Sequence, residues 1–146
     1  MALRFTLGFC AICATLAGCD PVGDDAVGPD GGVVVSQDGR LTLDIPAGAL
    51  DDFVEVTIEE VDTLPPGALG PSYRVLPAGT VFNAPVEVLY NYGAPGMDVD
   101  PQQVQLVIAR ADDWNPLPDR MLHDDDPVVS ATALYSSTVG IAINDR

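Results

Sequence analysis

The chain has 146 residues, 47% of them hydrophobic, which is enough for one domain with a real core and too little for two. Its cations are six Arg and no Lys against 22 acidic residues, for a net charge of −16. That balance argues against nucleic acid as a partner and against docking on an anionic membrane through basic side chains, because both rest on Lys and Arg meeting phosphate.

The amino terminus reads as an export signal: one cation, Arg4, then an apolar run from Phe5 to Leu16. At about twelve residues the run is too short to cross hydrocarbon, which needs roughly twenty. It ends in Leu16-Ala17-Gly18-Cys19, which resembles the lipobox of bacterial lipoproteins. The resemblance implies diacylglyceryl transfer to Cys19, cleavage after Gly18 and acylation of the new amino terminus. Three acyl chains anchor stably where one holds only marginally, since each buried methylene adds about 0.8 kcal/mol. The leader is thus residues 1–18, and Cys19 is the lipid attachment site. The Cys10 and Cys13 pair has redox spacing but lies inside the apolar run and leaves with it. With Cys19 acylated, the mature chain keeps no thiol for a disulfide, a metal or a nucleophile.

Asp20 to Asp30 is rich in Gly, Pro and Asp and lacks an apolar period, so residues 19–30 are expected to be lipidated cysteine and flexible linker. From Gly31 onward short strands follow one another. Val33 to Val35 is joined by the Asp38-Gly39 turn to Leu41 to Ile45, where Leu41, Leu43 and Ile45 alternate with Thr42 and Asp44. Ile45-Pro46-Ala47-Gly48-Ala49-Leu50 closes that strand, since Pro46 lacks an N–H and Gly48 admits backbone angles closed to other residues. Val54, Val56 and Ile58 alternate with Glu55, Thr57 and Glu59, the period of a strand with one wet face. Leu64 to Ser72, with three Pro and two Gly, reads as a surface connection. Further strands are expected at Tyr73 to Leu76, Val86 to Tyr92, Val104 to Ile108, Val128 to Tyr135 and Val139 to Ile143. Short strands, many turns and no helical period predict an all-β fold, an antiparallel β-sandwich spanning residues 31–146 as a single domain.

Gly31-Gly32, the Asp38-Gly39 turn, the Ile-Pro-x-Gly-Ala-Leu hexapeptide, Val54 to Ile58, Pro77-x-Gly79, Phe82 and Pro85-Val86 together resemble the ZU-five domain of ankyrins, netrin receptors and zonula occludens proteins. The likeness runs from about Gly31 to Tyr92 and continues more weakly to Ile143. It implies a binding or scaffold module without catalysis, and it carries over no ligand contacts. Some ZU-five modules cleave their own chain before the Ser of a His-Phe-Ser motif. The corresponding stretch here is Leu134-Tyr135-Ser136, where Leu replaces the His, so a self-cleaving or hydrolytic alternative must recruit His123, the only histidine, to Ser136.

Other groups invite a chemical reading. Asp51-Asp52, Asp98 with Asp100, Asp112-Asp113 and Asp124-Asp125-Asp126 fall at turns, and two such loops brought together at one end of a sandwich would offer oxygen ligands to calcium. No twelve-residue calcium loop is present, and a solvated acidic surface explains the same residues. Trp114 is either a binding aromatic on a loop or a plug at a sandwich end. A Ser, His, Asp triad drawn from Ser130 or Ser136, His123 and Asp124 has no nucleophile elbow behind it. The expectation is therefore a lipid-anchored protein of the bacterial cell envelope, non-catalytic, with no cofactor, held to the membrane through Cys19 and meeting a protein partner.

Overall fold

The computed structural model describes residues 26–93, 99–123 and 125–144. The leader, Cys10, Cys13, Cys19, Asp98 and Asp124 lie outside the described residues. Twelve strands follow in chain order: β1 Ala26–Val27, β2 Gly32–Val35, β3 Leu41–Ile45, β4 Val54–Glu55, β5 Thr57–Val61, β6 Ser72–Leu76, β7 Val81–Asn91, β8 Val104–Arg110, β9 Asp113–Pro116, β10 Met121–Leu122, β11 Val128–Tyr135 and β12 Thr138–Ile143. They form two five-stranded sheets, ordered β10-β11-β7-β3-β2 and β5-β6-β12-β8-β9, and a two-stranded ribbon of β1 with β4. Every strand pairing is antiparallel, and the molecule is an antiparallel β-sandwich.

The period-2 pattern decides which side chains fill the space between the sheets. Leu41, Leu43 and Ile45 of β3 are buried against Val86, Val88 and Tyr90 of β7, and opposite them lie Leu106 of β8, Tyr73 of β6 and Ile141 of β12. Fully burying a side chain of the Leu or Ile class is worth roughly 1.5–3 kcal/mol, so this alternation is what selects the pairing register. The hexapeptide turns as its chemistry demands. Gly48 adopts φ +84°, its N–H reaches the Pro29 carbonyl at 2.8 Å, and Ala49 and Leu50 drop into the core.

Three sequence expectations need correction. Ala26 and Val27, assigned to the flexible linker, pair with Glu55 and Val54, because Val27 has an apolar side chain to bury and does so at 5% exposure. Val54 to Ile58 is not one strand. It changes partner at buried Val56, pairing first with β1 and then with β6. β7 begins at Val81, well before Val86, and carries Pro85 inside it. Pro85 is tolerated because its nitrogen lies on the β3 side of β7, as those of Glu87, Leu89 and Asn91 do, and the β3 ladder has already ended at Asp44 opposite Glu87, so no ladder bond is demanded of it. Strands β9 and β10 fall where no strand was expected.

Candidate functional site

Two tyrosines lock the sandwich reciprocally near one end. Tyr73, on β6 of one sheet, donates its hydroxyl to the Asp38 carboxylate in the β2–β3 turn of the other. Tyr90, on β7 of that second sheet, donates to the Pro71 carbonyl just before β6, at 2.7 Å. Their rings meet at 5.9 Å between centroids, tilted by 60°. Asp38 also accepts from the Ser36 hydroxyl at 2.7 Å and the Arg40 N–H at 3.1 Å, and the Ser36 hydroxyl accepts from the Leu41 N–H. Burial alone would push the Asp38 carboxyl up, but the hydrogen bonds from Tyr73, Ser36 and Arg40, with the Arg40 charge, outweigh it and hold the group below the usual carboxylate value. Burial, then the bond to Asp38, pushes the Tyr73 phenol far up, and burial does the same to Tyr90.

Beside this lock a cleft of about 450 Å³ opens between the β2–β3 turn and β5, lined by Ser36, Gln37, Asp38, Ile58, Glu59, Glu60 and Tyr73. Its rim is an edge of each sheet, since β2 ends one and β5 ends the other. Ser36 N–H bonds the Leu41 carbonyl, and the antiparallel alternation then turns the Gly32 and Val34 backbone toward β3. Val33 and Val35 face the other way. Their N–H and C=O groups point out of the sheet edge, and their side chains are 63% and 52% exposed.

The residues singled out by sequence are not gathered here. Ser136 is buried; its hydroxyl donates to the Pro77 carbonyl and accepts from the Thr80 N–H at 2.9 Å, fastening the turn between β6 and β7. His123 pairs instead with Ser130, Nε2 to Oγ at 3.2 Å. His123 hydrogen-bonds beside Val128 at the start of β11 and Ser136 follows its end, so about 25 Å of strand separates them. The geometry therefore denies Ser136 the base that the hydrolytic alternative requires. Ser130 itself is only 2% exposed.

No protein-family model matches the chain, and no curated protein matches it. The reading of the site therefore rests on its own geometry.

Among the acidic groups, Asp100, Asp125 and Asp126 do share a cleft, of about 490 Å³, with His123 and Tyr92. One Asp100 oxygen is already taken by the Gln102 N–H, and among the described residues no group of three acidic, His or Cys side chains is arranged to hold a metal ion. Asp51 and Asp52 are exposed elsewhere, and Asp112 and Asp113 directly precede Trp114. Trp114 neither plugs an end nor rides a loop. It lies half-buried on edge strand β9 opposite Ala109, in a cleft of about 350 Å³ with Pro65 and Pro66. Those prolines cover the outer face of β12 and β8, where Gly140 leaves room that a Cβ would take from Pro65. That cover buries Val107 and Ala142, which alternation alone would leave wet.

What sequence reasoning missed is the pairing of Val33 and Val35 with outward-facing backbone, and the Glu60 carboxylate across the slot. The run Gly31 to Val35, free of charge and of Pro, was a visible signal, but only sheet order shows that it is an edge.

Proposed function

We propose that this chain is a lipid-anchored binding module of the bacterial cell envelope, a ZU-five-like sandwich tethered through Cys19 that engages another protein. The observation that supports it best is the β2 edge, where exposed apolar side chains and outward-facing backbone groups coincide beside a cleft. Native sheets commonly blunt such edges, and an edge left open is a template for another chain. The lipobox Leu16-Ala17-Gly18-Cys19 supports the anchor, and the hexapeptide and its companions support the family.

Two experiments test the two halves. Cys19→Ala is expected to move the protein from the membrane fraction to the soluble one, and unchanged membrane association would refute the anchor. Chemical cross-linking in intact envelopes is expected to give one discrete adduct between the wild-type chain and a second protein. Absence of any adduct across cross-linkers of several lengths would refute the binding role.

A further inference from the structure

Resting on that binding role, we infer that the β2 edge receives an extended strand of a partner protein whose alternate residues are Lys or Arg. The sheet edges differ in their protection. β5 carries Glu59 and Glu60, β9 ends in Pro116, and β10 is two residues long. β2 reads Gly-Val-Val-Val, with no charge and no Pro, and beyond the bridge of Gly28 to Gly31 its Val33 and Val35 present both backbone groups outward, with no partner strand on that side among the described residues. A strand laid along β2 gains main-chain bonds at both residues and extends the sheet by one.

Charge then selects the occupant. A strand beside β2 points alternate side chains toward the slot between the sheets and the others to the outer face. On the slot side waits Glu60, which lies opposite inward-facing Tyr73 on the adjacent strand, with the Asp38 carboxylate at the head of the cleft; Glu59 borders the cleft from the face it shares with Arg74. On the outer side Val33 and Val35 offer apolar contact, with the exposed Asp44 opposite Val33. The nearby cations, Arg40 in the turn and Arg74 opposite Glu59, are fewer than these carboxylates. Cations on one face and apolar residues on the other therefore fit this edge. A second copy of the chain does not, since each copy carries a net charge of −16 and brings its own carboxylates to the same slot.

The probe is an acetylated and amidated octapeptide of alternating Lys and Val, titrated by fluorescence anisotropy into the purified full-length chain in neutral detergent. A control peptide of equal charge has each Val replaced by Pro, which removes the N–H groups a ladder needs. The alternating peptide is expected to bind at least tenfold more tightly than the Pro control, the worth of one or two net hydrogen bonds. Val35→Pro is expected to weaken it about tenfold while leaving the fold intact, because the Val35 N–H points away from β3. Glu59→Gln with Glu60→Gln, both exposed, keeps the test valid if the Pro variant fails to fold; it is expected to weaken binding several-fold and to flatten its salt dependence. Equal binding of both peptides, insensitivity to these substitutions, or concentration-dependent self-pairing of the protein through β2 would overturn the inference. An envelope adduct that survives Val35→Pro would leave the binding role standing and remove only the edge.

Discussion

Tyr73→Phe deletes one atom group from the lock between the sheets and should be felt in a pH-dependent way. A hydrogen bond to a charged group is worth roughly 1.5–3 kcal/mol. Asp38 is exposed and keeps Ser36 and the Arg40 N–H as donors, so solvent screening brings the expected loss at pH 7 to about 1 kcal/mol. For a domain of this size that lowers the melting midpoint by about 3–5 °C. The sign of the pH dependence follows from the lowered Asp38 pKa: its contribution is present above the ordinary carboxylate value near 3.8 and is lost as pH falls through the lower folded value. The gap between wild type and Tyr73→Phe should therefore narrow as melts are moved from pH 7 toward pH 2. A double-mutant cycle with Asp38→Ala should return a coupling of about 1 kcal/mol. A gap that is constant with pH, together with additive single effects, would refute the claim that this bond holds the sheets together.

Two companion predictions use the same melts. The phenols of Tyr73 and Tyr90 are raised by burial, so wild-type stability is present below the ordinary tyrosine value of 10.0 and declines as pH rises above it; Tyr90→Phe should soften that decline while costing about 1 kcal/mol at pH 7 through the lost bond to Pro71. Gly31→Ala should cost about 2–4 kcal/mol, because Gly31 holds φ +81° and an added Cβ would collide with the Ile45 carbonyl; a loss within 0.5 kcal/mol would show that the turn into β2 is built differently.

Local chemistry made much of the sandwich readable. The Asp38-Gly39 turn, the alternation Leu41 to Ile45 and the Pro46 to Gly48 stop each depend on a few adjacent residues, and each holds in the structure. The errors arose where distant pairing overrides local preference. Pro85 reads as a breaker until the end of the β3 ladder at Asp44 excuses its missing N–H, and Asp113 to Pro116 reads as loop until β8 supplies a partner. Val27 is one apolar residue in a polar stretch, and only β4 beside it makes it part of a strand.

The candidate site was less legible than the fold, for the same reason. The period of two puts Tyr73 and Tyr90 inward, yet the oxygens they reach are 35 and 19 residues away in sequence. Ser136 and His123 are reactive residue types, but tertiary placement gives them different neighbours at opposite ends of β11. An edge is a property of sheet order, so Val33 and Val35 have meaning only because β3 is the one strand paired with β2 among the described residues.

Residue-resolved amide hydrogen exchange of the full-length chain, alone and with the alternating Lys-Val peptide, tests the central claim most directly. The account predicts slow exchange at Val34, whose N–H faces β3, and fast exchange at Val33 and Val35 in the free protein, with both becoming protected when the peptide is added. Protection of Val33 and Val35 before any peptide is added, or no gain of protection at saturation, would contradict it.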